Sequence, residues 1–398
     1  MIFLDHAATT PIHPAAAEAL ARAAVDYPGN PGSQHTAGRH AAKALAAARA
    51  VMADSIGARP DEIILTAGGT EANNLVIGGV VAWWSRQRLP VHVVTTATEH
   101  ASVEKRLAWE ERQNPGHVRV TRLPVNRDGR IDPENLAAAI GPDTRLVSIL
   151  HGNNETGALH DLDAIKTVML SHPAVPLHLD WVQSYGKVPV DVRTFPVDFL
   201  TVAAHKVGGP QGAGFVFARQ GRDLEPMTVG GAQETYRRAG TPGLAAAAGF
   251  AAAIQAAPPP AEAWSRLAAL EAAFLTTLAA EGGAYHLNGP PSPGKPDFPA
   301  RLPGLFNLAF PGIADKQDLL IALDLDGVMA SAVSACHSGV VSDSTVLAAM
   351  GVPPENCASS IRVGLNHRQS ESEITEAARR VAKAVLRITQ ACQARSRP

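Results

Sequence analysis

An α/β architecture is predicted: a mostly parallel seven-stranded sheet in a large domain, with a smaller α+β domain beside it. Three features of the 398 residues carry this expectation. Short β-branched runs alternate with helical stretches from about residue 60 to 220, the pattern of strands joined by crossover helices. Two proline clusters, at 258–260 and 290–296, then break the chain. Hydrophobic residues make up 46% against 18% charged, enough for extensive cores.

The strands fall at Glu62–Thr66, His92–Thr96, Val118–Leu123, Arg145–Leu150, Pro176–Asp180, Asp198–Ala203 and Gly214–Ala218. Segments such as Thr70–Arg88 and Pro133–Ile140 are long enough to cross back over the sheet. Beyond residue 244, Ala245–Ala257 and Ala261–Glu281 read as helices, and Leu305–Phe310, Val328–Val333 and Ser360–Leu365 as strands. The last helix carries Ile374, Ala378, Val381, Val385 and Ile388 as one apolar stripe. The expected boundaries are 15–255 for the large domain, with 1–14 and 256–398 forming the small one.

Charge excludes some classes. With 35 Lys+Arg against 37 Asp+Glu the net charge is −2, which gives no field to draw nucleic acid or an anionic membrane. No basic segment precedes an apolar run at Met1–His6, and no stretch approaches a membrane span, so a cytoplasmic protein is expected. Three cysteines, at 336, 357 and 392, fit neither a disulfide framework nor a zinc knuckle.

Ligands on parallel sheets bind at the carboxyl ends of strands. The first such loop, Leu65 to Asn74, runs through Gly68, Gly69 and Thr70 into a helix, where free N–H groups and a hydroxyl suit a phosphate. It lacks the Gly-Lys-Ser/Thr ending of a Walker loop. A later strand ends in Asp180, a carboxylate that needs a cationic partner there. The next ends in Ala203-Ala204-His205-Lys206, where a desolvated lysine suits Schiff-base chemistry. Amine, carboxylate and anion cradle together are what pyridoxal phosphate requires. Thr98-Glu99-His100 adds an imidazole that can stack on a flat ring, and His151 to Gly157 adds amide donors. Cys336 stands among small residues beside His337, which favours its thiolate. Cys357 and Cys392 lack such surroundings and read as inert thiols.

Many segments in this order give the chain its resemblance: Leu4-Asp5-His6-Ala7-Ala8-Thr9-Thr10-Pro11, Gly29-Asn30-Pro31-Gly32-Ser33, Thr70-Glu71, Thr98-Glu99-His100, His151 to Gly157, Asp180 with Gln183, His205-Lys206, Arg238-Ala239-Gly240-Thr241, Ser334-Ala335-Cys336 and Ser359-Ser360-Ile361-Arg362. Nearly end to end, it resembles a cysteine desulfurase of the NifS/IscS type, a fold-type-I pyridoxal phosphate enzyme of the class-V aminotransferase kind that is normally a homodimer. The resemblance implies that Lys206 holds the cofactor and moves the Cα proton, that Asp180 keeps the pyridine nitrogen protonated, and that His100 stacks on the ring. Gln183 and Asn154 would bond its oxygen side. Gly69, Thr70, Ala203 and His205 would surround the phosphate, with Thr241 reaching over from the partner subunit. Arg362, assisted by Asn30, would clamp the carboxylate of L-cysteine. Cys336 would take the sulfur as a persulfide, leaving L-alanine, and pass it to a protein acceptor such as an iron–sulfur scaffold; it is also a candidate transient iron–sulfur ligand.

There are departures from the family pattern. Trp181 replaces a small residue beside Asp180, Ala203 replaces a serine that contacts phosphate, and Ala232 replaces a glycine. Other readings stay open: a selenocysteine lyase, another β-lyase or aminotransferase, or a catalytically inactive sulfur-relay scaffold subunit.

Overall fold

The computed structural model describes residues 1–295, 298–332 and 344–395. All seven expected strands of the large sheet are present. Across the sheet they lie in the order Ile63–Thr66, Gly214–Ala218, Phe199–Ala203, Leu177–Asp180, Thr144–Leu150, Val91–Thr96 and Val118–Leu123. Gly214–Ala218 runs antiparallel to both its neighbours, and the other pairings are parallel.

Successive side chains of a strand point to opposite faces, and both faces here are apolar. Ile63, Leu65, Val147, Ile149, Leu200, Val202, Phe215 and Phe217 enter one core. Ile64, Val93, Leu146, Phe199, Val216 and Ala218 enter another. Helices Thr36–Asp54 and Leu244–Ala256 cover the first face through Leu45, Met52 and Phe250. Helix Gly69–Arg86 covers the second through Leu75, Val76 and Val80. This is why the strands read as near-continuous hydrophobic runs. A buried histidine, His178, bridges three strands: its Nδ1 bonds Ser148 Oγ at 2.9 Å and its Nε2 bonds Thr201 Oγ1 at 3.0 Å.

A separate core lies under an antiparallel sheet of Ser360–Gly364, Leu305–Ala309 and His286–Asn288. The expected stripe of the last helix, Glu371–Arg395, supplies Ile374, Ala378, Val381 and Val385 to it, with Ile388 at its margin. Ile2–Phe3 pairs with Val328–Met329, Leu4 enters the same core, and Asp5 bridges to Gly364. The expected strand Val328–Val333 is therefore shorter; Ser331 makes only an isolated bridge to Arg362, and Val333 lies outside the described residues.

Cys357 is buried with Val346, Leu347 and Met350, as an inert thiol would be. Cys336 and the side chain of Cys392 lie outside the described residues. Among the described residues, no helix is long and apolar enough to cross a membrane. The topology has one consequence for chemistry. The parallel strands deliver their carboxyl ends to one edge of the sheet, and strand Ser360–Gly364 and the segment after Leu4 meet them there.

Candidate active site

That edge encloses a cavity of 460 Å³. Ten of the residues expected from the sequence line it: Gly69, Thr70, His100, Asn154, Asp180, Gln183, Ala203, His205, Lys206 and Arg362. Nine of them lie at or just beyond strand ends of the large sheet, and Arg362 comes from the middle of strand Ser360–Gly364. Thr66 leads through Gly68, at φ 141°, into the first turn of helix Gly69–Arg86, whose unpaired N–H groups open on the cavity. A side chain at Gly214 would collide with Gly68 Cα at 2.9 Å, so the turn packs tightly on the neighbouring strand. His100 caps helix Ala101–Gln113. Asp180 closes strand Leu177–Asp180, and Ala203 closes Phe199–Ala203, with His205 and Lys206 in the single helical turn that follows.

Lys206 Nζ donates to the carbonyls of Ala7 at 2.5 Å and Ala8 at 2.8 Å. Burial, then the charges of Arg362 and Lys187, pull its amine down to about 7 against the pull of Asp5 and Asp180. A substantial fraction is thus neutral at physiological pH, as a nucleophilic amine requires. Burial also lowers the His100 imidazole, opposed by Asp180 and reinforced by Lys206. His100 Nδ1 accepts from Ser102 N at 3.1 Å, which leaves the proton of the neutral ring on Nε2. Beneath it, burial pushes the Glu99 carboxyl up to about 8, while Oε1 accepts from Thr96 Oγ1 and Leu150 N.

Arg362 faces these groups from the other sheet. Its Nη1 donates to Asn154 O at 3.0 Å, and its Nη2 to Asp5 Oδ1 at 2.8 Å and Ser331 Oγ at 2.9 Å. Its Nε is buried with no partner among the described residues. A guanidinium is the side chain best shaped to meet a carboxylate through two parallel hydrogen bonds.

Two polar residues escaped the sequence reading. Asn73, 1% exposed, donates from Nδ2 to Asp180 Oδ2 at 2.7 Å and to Ser102 Oγ at 2.8 Å. Since His100 Nδ1 already accepts from a backbone N–H, the Ser102 hydroxyl donates to it at 2.7 Å. One amide thereby fixes both the carboxylate and the imidazole. The available signal was position: Asn73 follows Thr70 by three residues, one helical turn on. Replacing Asn73 with Ala removes a hydrogen bond to a charged acceptor, about 1.5–3 kcal/mol. Cofactor retention, measured by equilibrium dialysis, is expected to weaken at least about tenfold.

Trp181, the departure that directly follows Asp180, does not line the cavity. The alternation of the backbone sends it into the core, where it is fully buried and stacks on His151 with ring centres 4.2 Å apart. Ala203 is 1% exposed, lines the cavity and offers no hydroxyl there. Asn30 and Thr241 do not line the cavity. Asn30 is exposed, and its Oδ1 accepts from Gly32 N at 2.8 Å in a local turn. Thr241 lines a neighbouring cavity with Thr66, Glu234 and Arg238.

The sequence model of the family described as aminotransferase class-V matches residues 2–376. An "IscS-like cysteine desulfurase" of Mycobacterium tuberculosis (strain ATCC 25618 / H37Rv) is 38% identical over 400 residues, 99% of this chain and 98% of that one. A solved "NifS-like protein" superposes with a TM-score of 0.86 at 27% identity, covering 96% of this chain and 98% of its own. Another, titled "SspA in complex with cysteine", gives 0.79 at 27% identity over 93% and 100%.

The residues present fit pyridoxal phosphate. The cavity joins a helix N-terminus for an anion, an enclosed amine, a carboxylate held by two N–H donors and an imidazole. Fold, cavity and relatives agree: the chain belongs to the class-V aminotransferase family, among its IscS- and NifS-like cysteine desulfurases, and works with pyridoxal phosphate.

Proposed function

We propose that the protein converts L-cysteine to L-alanine and holds the sulfur as a persulfide on Cys336 for a protein acceptor, an iron–sulfur cluster scaffold being the acceptor class that the IscS relatives favour. What supports the reading most is the convergence of Lys206, Asp180, His100 and Arg362 on one cavity. A structural relative solved with cysteine supports the substrate.

Bound pyridoxal phosphate supplies an electron sink for the pair left at the substrate Cα. Asp180, fixed by Asn73 and Val182 N, sustains that sink by holding a proton at the ring nitrogen. Gly69, Thr70 and His205 hold the phosphate with Thr241 supplied by the partner subunit, and Gln183 and Asn154 hold the ring's oxygen side. Arg362, with Asn30 assisting, receives the substrate carboxylate, which displaces Asp5 from the guanidinium. Lys206 carries the cofactor and then moves the Cα proton. The Cys336 thiolate attacks the substrate sulfur. An S–S bond forms and the Cβ–S bond breaks with its pair remaining on Cβ, which takes a proton. Sulfur is oxidised to the sulfane level as Cβ is reduced, so no external redox partner enters. The chain divides into domains 15–255 and 1–14 with 256–398, in a cytoplasmic homodimer.

The test is a product balance. The purified, cofactor-loaded protein with L-cysteine and a thiol reductant is expected to release sulfide and alanine in equal amounts. Pyruvate and ammonia in place of alanine would mean a β-lyase, and dependence on a keto acid an aminotransferase. Turnover of selenocysteine with none of cysteine would mean a selenocysteine lyase. No turnover and no cofactor uptake would leave the scaffold reading.

A further inference from the structure

Behind the N-terminal segment lies a second cavity, of 50 Å³, separated from the first by Ala7, Gln183 and Lys206, which line both. Its lining carries the basic side chains Lys187, Arg368, His6, His13, His367 and Lys206 and the phenol of Tyr185, with no aspartate or glutamate. We propose that this cavity is a binding site for a small dianionic oxyanion of the phosphate or sulfate class, held chiefly by Lys187 and Arg368.

The argument rests on missing counter-charge. Lys187 Nζ donates to one carbonyl, that of Gln183 at 3.1 Å, and makes no ion pair among the described residues. An ammonium with three protons has two left over. Arg368 spends Nη2 on Pro11 O and Nε on Asn366 Oδ1, and likewise makes no ion pair. His6 Nδ1 is buried with no partner. Taking an ammonium out of water without a partner is costly, and an oxyanion would repay it with charge-assisted hydrogen bonds.

The surroundings agree. Burial and then Arg368 and Lys187 hold His6 down to about 4, and burial with Arg368, Lys187 and His13 does the same for His367. Asp5, the carboxylate that acts on His6, is spent on Arg362 and Ser331 at the first cavity. A dianion here would also offset Lys187, one of the charges that depress the Lys206 amine. The cavity thus lies where an anion tunes the catalytic lysine without touching substrate.

The experiment uses cofactor-loaded protein, so that the phosphate cradle of the first cavity is filled, and titrates it with inorganic phosphate and, in a second arm, sulfate, with chloride keeping ionic strength constant. Calorimetry is expected to show one saturable site per chain for either anion, and a rise in thermal midpoint that chloride does not give. Lys187→Met is expected to weaken phosphate at least about tenfold, and Arg368→Gln, at the exposed mouth of the cavity, to do so without endangering the fold. Unchanged phosphate affinity in Arg368→Gln and in folded Lys187→Met would overturn the proposal. So would no binding by the parent, or the same midpoint shift in chloride.

Discussion

Lys206→Ala protein is expected to fold, to bind pyridoxal phosphate only reversibly and to turn over L-cysteine at least about a thousandfold more slowly, since under the proposed function it loses both the nucleophile that retains the cofactor and the group that moves the proton. Fold retention follows from the geometry: the amine's two hydrogen bonds go to the carbonyls of Ala7 and Ala8, and removing a depressed, partly desolvated cation relieves as much as it costs. In the parent, an absorption band near the visible edge should survive dialysis and be fixed to the chain by borohydride. In the variant it should dialyse away. The amine's fall to about 7 adds a pH signature. Only the neutral form attacks an aldehyde, so cofactor uptake by the apoprotein should rise with pH up to about 7 and level off above it. An uptake rate still climbing steeply at pH 9 would mean that burial, Arg362 and Lys187 do not depress the amine.

That electrostatic arrangement explains why one cavity can hold two positive groups with different tasks. Lys206, beside the Arg362 guanidinium, is pushed toward neutrality by burial and by that charge. Asp5 gives the arginine a resident carboxylate. Under the proposed function, a substrate carboxylate exchanges with Asp5.

Most of the seven strands were legible because both faces of the sheet are buried, which leaves near-continuous apolar runs, although the edge strand Val118–Leu123 carries Arg119 and Arg122. Arg362 came from the resemblance alone, whereas the other nine of the ten expected residues that line the cavity were legible because strand ends can be read locally. Pairings that depend on distant closure were not. Asp5 and Arg362 are 357 residues apart, and Ser331 and Asp5 are 326 apart. Asn73 looked like part of a helix start, and only the packing of that helix under Asp180 gives its amide two partners. The effect of Trp181 was not legible either: period-two alternation sends the neighbour of a strand-end residue to the other face, where it stacks on His151.

Cys336→Ala should separate cofactor chemistry from sulfur transfer. Every described residue that lines the cavity is left in place, so the variant is expected to bind pyridoxal phosphate with the parent's affinity and to keep the borohydride-sensitive band. Arg362, the proposed receptor of the substrate carboxylate, also remains, so L-cysteine should still perturb the spectrum at the concentrations that perturb the parent's. Release of alanine and sulfide, however, should fall at least about a hundredfold, because no thiolate is present to accept the sulfur and the Cβ–S bond has no other leaving path of comparable ease. Labelled sulfur from cysteine should mark the parent chain as a reducible adduct and leave the variant unmarked. Cys357 is enclosed with Val346, Leu347 and Met350 and is not placed to substitute. Undiminished cysteine turnover in Cys336→Ala would show that the cavity expels sulfur by a lyase route, and the persulfide step would have to be abandoned while the assignment of Lys206, Asp180 and Arg362 to the cofactor and substrate stood.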